Sequence, residues 1–399
     1  MAAIDAYIPY GAYWSTPFAR WQGSLSHLHS LTFAAHVASQ ALEDRTIPHD
    51  TIDFGVLGTT IPQAHSFYGL PWVTGLMGAA HVPGPTINQA CATGASCLRN
   101  ATDEVRAGAA RCALVLTADR TSNGPHIYYP DPGGVGGTGT HENWVLDNFS
   151  CDPFAQVAMV ETAENVAKKH QITTAEQHDV VLMRHAQYDG ARSDGFHARF
   201  MATPFAVPDA KLRKTIATLE GDEGVFPTDA GKLGALSPVV PGGTVTYAAQ
   251  THPADGNVGM LVTDQMNARA LSARPEIAIR VRGFGVARTE IAHMPQAPIP
   301  AAMRALNDAG VTMADIKAVT THNPFAVNDI LFARETGFAL ERMNAHGCSL
   351  IWGHPQAPTG LRSIIELIEG LVDVGGGLGL FTGCAAGDTG MSVVIEVSG

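Results

Sequence analysis

Basic residues are scarce in this chain. Its 399 residues include 25 Lys and Arg against 37 Asp and Glu, a net charge of −12, and the densest basic run is Lys211-Leu212-Arg213-Lys214. A nucleic-acid-binding surface is therefore not expected, and an anionic ligand has to find local donors. Long apolar runs are missing as well: no stretch of eighteen apolar residues occurs, which argues against a spanning helix. The opening MAAIDAYIPYGAYWSTPF has no basic region followed by an apolar core, so no export signal is read there. The six cysteines, at 91, 97, 112, 151, 348 and 384, form no CxxC pair. That spacing excludes a disulfide-stapled scaffold and suits a reducing cytoplasm. No resident metal is expected: His27-Leu28-His29 lacks a third ligand at sensible spacing. Gly134-Val135-Gly136-Gly137-Thr138-Gly139 follows Tyr-Pro-Asp-Pro instead of a strand, so it is not read as a dinucleotide fingerprint.

What the chain does have is apolar content, 45% of residues, enough for two or three packed units. Strand-like runs (Ile52 to Leu57, Arg111 to Leu116) alternate with helix-like ones (Leu31 to Leu42, Ala92 to Gly108) over the first 120 residues. Such alternation predicts βαβ units and a largely parallel sheet. The last 125 residues repeat it, with strands at Ile277 to Val281 and Ile316 to Val319, a helix over Gly360 to Leu371 and a closing pair of strands from Gly379. Similar spacing in the two halves reads as an internal duplication. Between them, residues 120–243 carry Pro130-Asp131-Pro132-Gly133-Gly134, helices at Val160 to Lys169 and Thr174 to Ser193, and much irregular polar sequence, which reads as an inserted cap.

Four residues carry chemistry. Cys91, in NQACATGAS, falls at a strand-to-helix turn, where the free amides and dipole of a helix N-terminus favour a thiolate and lower its pKa. His354 is held between Gly353 and Pro355, a turn that aims an imidazole better than it packs one. Cys384 lies in TGCAAGDTG, a Gly-rich reversal whose amides can approach a substrate carbonyl beside a thiol able to carry a proton. His322, in THNPF, ends an apolar run. A thiol nucleophile that makes or breaks a carbon–carbon bond needs a base and a second proton carrier, and two Cys with two His supply that set.

Taken together, these motifs resemble the thiolase superfamily of acyl-CoA C-acyltransferases, and the likeness runs along almost the whole chain. Ser15-Thr16-Pro17-Phe18, Gly23-Ser24-Leu25, Thr162 to Ala167 and Gly243-Thr244-Val245-Thr246 share in it. The resemblance implies an α/β thiolase fold of two duplicated halves, each a five-stranded mixed sheet with helices in layers. Its boundaries would be 1–119 plus 244–272 for the N-terminal half, 120–243 for the cap and 273–399 for the C-terminal half. It further implies that Cys91 is acylated, that His354 activates it, and that Cys384 moves the α-proton of the second acyl-CoA. His322 replaces the usual Asn of Asn-Glu-Ala-Phe and would donate to the thioester oxygen. Ala386, Thr251 and Phe325 would complete the oxyanion and substrate contacts.

CoA and acyl-CoA would be substrates, with no other cofactor, and the protein a cytoplasmic homodimer or tetramer. Asn-Ala-Ser becomes Ala249-Gln250-Thr251, a pocket His becomes Ala158, and an Arg near Phe226 is absent. These departures predict an unusual CoA pose, and they leave room for a small OB-fold, zinc-ribbon partner. The aromatic residues Tyr128, Tyr129, Trp144, Phe149 and Phe154 are candidates to line a pocket for a bulky or aromatic acyl group. Two alternatives stand beside a reversible thiolase: a related condensing synthase, and a structural or weakly catalytic subunit of a hetero-oligomer.

Overall fold

In a computed structural model, which describes residues 4–399, one large mixed sheet joins the two halves. Its strands are β1 (Tyr7–Ile8), β2 (Tyr13–Ser15), β3 (Ala19–Arg20), β4 (Phe54–Gly58), β5 (Thr86–Ile87) and β6 (Cys112–Arg120). The cap contributes two hairpins, β7 (His126–Pro130) with β8 (Gly139–Asn143) and β9 (Phe205–Pro208) with β10 (Thr215–Leu219). The sheet resumes with β11 (Ala254–Thr263), β12 (Ala278–Arg288), β13 (Ile316–His322), β14 (Gly377–Ala385) and β15 (Thr389–Ser398). The order is β13-β14-β15-β12-β1-β11-β6-β4-β5, with β2 and β3 also paired to β11. The short β1 is the seam, pairing Tyr7 with both Thr263 and Arg280.

The duplication is visible in pairing sense. Each half has a parallel pair (β4 with β6, β13 with β14), to which the N-terminal half adds β5 parallel to β4, and the next pairing is antiparallel (β6 with β11, β14 with β15). Parallel strands need crossover helices, and these supply the layers. The helix Ser30–Asp44 packs on the outer face of β6 and β11, and Pro298–Ala309 packs on β12, β14 and β15. Between the halves lie Thr93–Arg106 and Ala357–Asp373, which touch each other and strands of both halves. Every residue from Ala357 to Leu371 is buried, the mark of a helix with no solvent face.

Such a helix can carry charge only if the charge is paired. The Arg362 guanidinium grips the Asp222 carboxylate with two bonds of 2.6 and 2.7 Å, adds Glu366 at 3.1 Å, and lies over the rings of Phe18 and Trp352. Asp222 belongs to the segment between the halves, so this buried pair ties that segment to the central helix. The two central helices also approach so closely that a side chain at Gly94 has no room: a Cβ there would lie 2.7 Å from the Ala357 carbonyl and 2.8 Å from the Leu361 nitrogen.

A substitution tests that crossing. Gly94→Val is expected to destabilise the fold by about 1–3 kcal/mol through overpacking and to disturb whatever depends on the relative placement of residues 91 and 354. Thermal unfolding measures the first effect, and the rate of Cys91 alkylation the second.

Candidate active site

Cys91 follows a short strand and precedes the helix Thr93–Arg106, and the turn between them is tightly specified. Ala90 adopts a left-handed conformation, φ +46°, which an L-residue holds only when its surroundings over-determine it. Here they do. The Ala90 amide donates to Asn88 Oδ1 at 3.0 Å, Thr93 Oγ1 donates to the Ala90 carbonyl at 2.6 Å, and the same oxygen accepts from the Gln89 amide at 2.8 Å. His354 precedes the other central helix. Gly353 has φ +96°, and a Cβ there would sit 2.7 Å from His252 Nε2, so only glycine admits the turn. The His354 amide donates to the His252 carbonyl at 2.8 Å.

These two turns bring together residues 263 positions apart: His354 Nε2 lies 3.1 Å from Cys91 Sγ. Its other nitrogen, Nδ1, is 2.6 Å from Thr359 Oγ1; with the ring proton on that side, Nε2 turns a lone pair to the thiol. His322, at the end of β13, stacks on His354 with ring centroids 4.1 Å apart. Its Nδ1 is 2.9 Å from Ser349 Oγ, and its buried Nε2 has no partner among the described residues. Cys384, on β14, is buried near Cys91, and the amide of Ala386 faces the Cys91 sulfur. The structure thus gathers Cys91, His322, His354 and Cys384 at one point. The ligand atoms of Cys91, His322 and His354 lie within 4.8 Å of one another, a His₂Cys donor set of the kind zinc accepts. The hydrogen bond between His354 and Cys91 organises two of those atoms for proton exchange.

The electrostatics differ from the sequence expectation. A helix N-terminus lowers a thiol's pKa, but burial outweighs the amides of Ala386 and Cys91 itself, and the Cys91 thiol is pushed up to about 11. Cys384 is raised further, chiefly by burial. Burial drives the imidazoles the other way, His322 down to about 3 and His354 well below its ordinary value. The resting cluster is neutral throughout.

It opens on a cavity of about 440 Å³ lined by Cys91, His354, Ala386, Thr251 and Phe325, with Trp144, Phe149, Met159, Val160, Met294 and Pro324 forming apolar walls. Of the cap aromatics, Trp144 and Phe149 line it; Tyr128, Tyr129 and Phe154 do not, and instead stand exposed on the surface. Aromatic content alone does not say which face a hairpin or loop turns inward. Thr251 borders the cavity, but its hydroxyl donates to the Ser349 carbonyl and its amide to the Pro324 carbonyl. Among the described residues, no Lys or Arg lines the cavity.

Sequence reading missed the supports. Asp119, at the end of β6, is buried and accepts from the amides of Thr60, Ile61 and Ala357 and from the Thr59 and Thr60 hydroxyls. It therefore pins the first turn of the His354 helix to the N-terminal half. Burial raises its pKa to about 6 against those donors. Asp329 does the same beneath His322, accepting from Thr321, Asn323, Asn344 and the buried Arg184. The available signal was Asn323 and Asn344, asparagines beside His322 and His346 in short polar stretches.

The chain matches the family model described as "Thiolase, N-terminal domain" over residues 12–266 and that described as "Thiolase, C-terminal domain" over residues 276–397. It is 26% identical to the acetyl-CoA acetyltransferase of Escherichia coli over 386 residues, covering 96% of each chain. It is also 26% identical to the human mitochondrial 3-ketoacyl-CoA thiolase over 387 residues, again covering 96% of each. Among solved structures, that of the human mitochondrial 3-ketoacyl-CoA thiolase in complex with CoA shares the fold, with a TM-score of 0.88 at 24% identity over 99% of this chain and 98% of the other.

The pH dependence of the thiol follows from these environments. Depressed imidazole pKa values leave both rings unprotonated where free histidine titrates, and a raised thiol pKa makes the thiolate fraction grow about tenfold per pH unit up to the alkaline midpoint. Alkylation of Cys91 by iodoacetamide, followed by mass spectrometry, is therefore expected to climb toward a midpoint near 11 with no inflection near 6.5. An inflection there that vanishes in His354→Gln would mean a thiolate–imidazolium pair instead.

Proposed function

The chain belongs to the thiolase family and is an acyltransferase, and from that premise we propose that it cleaves a 3-oxoacyl-CoA, or condenses two acyl-CoAs in reverse, through an acyl group carried on Cys91. The observation that carries this reading is the 3.1 Å approach of His354 Nε2 to Cys91 Sγ at the floor of an apolar cavity. In the cleavage direction the Cys91 proton passes to His354 Nε2 as the sulfur attacks the 3-oxo carbon, and the amides of Cys91 and Ala386 are the donors nearest the developing oxyanion. The bond between C2 and C3 then breaks, leaving an acyl-Cys91 and the enolate of the departing acyl-CoA.

His322 serves that enolate in one tautomer. The Ser349 hydroxyl has two acceptors in reach, Asn323 Oδ1 at 3.1 Å and His322 Nδ1 at 2.9 Å; when its one proton turns to His322, the ring proton sits on the buried Nε2, which becomes a donor to the thioester oxygen. Cys384 gives its proton to the α-carbon. The incoming CoA thiol restores that proton, and its sulfur takes the acyl group from Cys91, which recovers its own proton from His354. Every proton is returned and no redox change occurs.

The walls of Trp144, Phe149, Met159, Met294 and Phe325 support a bulky or aromatic acyl chain. The cleavage of acetoacetyl-CoA and of an aromatic 3-oxoacyl-CoA by free CoA tests both parts. Cys91→Ser should abolish either reaction by about 10³-fold or more, as loss of a nucleophile does. Trp144→Ala should raise KM for the aromatic substrate by about 10-fold, the scale of a lost apolar contact, and leave acetoacetyl-CoA little changed. Failure of the wild-type protein on both substrates sinks the reading.

A second reading has one observation in its favour. A cavity without Lys or Arg meets the pantetheine but not the phosphates of CoA, which suits a partner subunit, such as a small OB-fold, zinc-ribbon protein, that supplies the cations. The chain alone should then use an N-acetylcysteamine thioester nearly as well as the CoA thioester, within about 10-fold in kcat/KM, since a missing charge contact costs about that much. A preference for CoA of many hundredfold shows that this chain holds the phosphates itself.

A further inference from the structure

Cys384 presents a problem the four-residue site does not solve. A buried sulfur that is to hold negative charge, even transiently, needs donors pointed at it, and neither His322 nor His354 is hydrogen-bonded to it. Among the described residues one side chain does donate to Cys384 Sγ: the amide of Asn328, with Nδ2 at 3.3 Å. Asn328 is 3% exposed and occupies the third position of the helix Ala326–Thr336. Its Oδ1 accepts from the Phe325 amide at 3.2 Å, closing that helix at its N-terminus.

The two contacts fix the orientation of the carboxamide. Turned over, it would set the NH₂ group against the Phe325 N–H, losing the cap, and would face a Cys384 thiolate with an oxygen. The polarity at Cys384 is therefore dictated by a backbone cap at Phe325, and the loop carrying His322 and Phe325 is tied to the second thiol through one side chain. A hydrophobic residue would fill the site, and an aspartate would cap the helix; only a carboxamide does both and also donates to sulfur.

We propose that Asn328 takes part in the proton transfer at Cys384, stabilising its thiolate while the proton is on the substrate α-carbon. This deepens the thiolase reading and rests on it. In the step concerned, the C–H bond of the acyl thioester breaks, an S–H bond forms on Cys384 and the electron pair moves onto the enolate oxygen. The reverse step leaves Cys384 as the thiolate that the Asn328 N–H group faces.

Two half-reactions separate this role from structure. Exchange of the acetyl group between acetyl-CoA and labelled CoA breaks no C–H bond: the proton that His354 takes from Cys91 goes back to the departing CoA sulfur, and Cys384 stays a thiol throughout. Exchange of the α-protons of acetyl-CoA in D₂O needs Cys384 as well. Asn328→Asp keeps the acceptor for the Phe325 amide and removes the donor, whereas Asn328→Leu removes both. The expectation is that Asn328→Asp slows α-proton exchange by about 10- to 100-fold, a share of what a positioned proton carrier contributes, and shifts its pH profile to higher pH, with acetyl exchange changed by less than about threefold and the thermal midpoint retained. Asn328→Leu should lose the same exchange and also some stability.

Unchanged α-proton exchange in Asn328→Asp overturns the inference, and so does parallel loss of both half-reactions in that variant. Wild-type protein that catalyses neither half-reaction overturns instead the reading beneath it, so the two failures are told apart by the wild-type measurement.

Discussion

Everything at this site depends on how closely two helices pass. Thr93–Arg106 and Ala357–Asp373 come from different halves, and each begins just past the residue whose side chain matters, two positions after Cys91 in one case and three after His354 in the other. Gly94 allows the approach by presenting no side chain to the Ala357 carbonyl, and a Cβ added at Gly360 would already touch the Phe381 ring at 3.2 Å. With backbones in contact, the two helix starts are fixed against each other, so a thiol and an imidazole 263 residues apart meet at hydrogen-bond distance. A close-packed crossing of this kind has little room to adjust. The catalytic distance is in that sense a property of the core.

The crossing brings a polar cost that the surrounding residues offset. Helix starts leave amides without partners, and here they are buried. The first turn of Ala357–Asp373 gives its amide to Asp119 across the interface between halves, while Arg362 further along needs Asp222. Beneath His322, Asp329 accepts from four side chains and brings β13, the Asn344 turn and the helix Thr174–Ser193 to one carboxylate. Buried networks like these stabilise only when every member is satisfied. That requirement explains why carboxylates and two arginines, Arg184 and Arg362, sit at the centre of a molecule whose net charge is negative.

How much of this could be read from the residues depends on what kind of information each feature needs. The helices Leu31 to Leu42 and Gly360 to Leu371 and the strand Ile316 to Val319 were legible because their periodicity and bounding small residues are local; the structure extends them to Ser30–Asp44, Ala357–Asp373 and Ile316–His322. The four reactive residues stood out because each ends an apolar run among small residues. Asp119 did not, since an aspartate closing ALVLTADR looks like a strand reaching solvent; its five donors come from segments 58 to 238 positions away. The pKa of Cys91 was misjudged for the same reason: the helix terminus is visible in sequence, but the depth of burial is not. The cap aromatics show the limit from the other side, as nothing local distinguishes Trp144, which reaches the cavity and donates its indole N–H to the Thr60 carbonyl at 3.0 Å, from Tyr128, which stays outside.

The neutrality of the resting cluster follows from that depth and bears on how the chemistry can run. Thiols pushed upward and imidazoles pushed downward mean that separating charge between Cys91 and His354 is unfavourable until something stabilises the product of the transfer. With no Lys or Arg along the cavity among the described residues, that something has to be dipolar: the amides of Cys91 and Ala386, the His322 Nε2–H group and the Asn328 carboxamide. Such donors are fixed by the backbone and its caps and need no reorganisation when charge appears. Because they act only at short range, they reward a substrate that excludes water from the apolar walls and leave the free thiols unreactive in its absence. A cationic side chain would lower both thiol pKa values permanently; dipoles aimed at the reacting atoms confine the charged state to the time when an acyl thioester occupies the site.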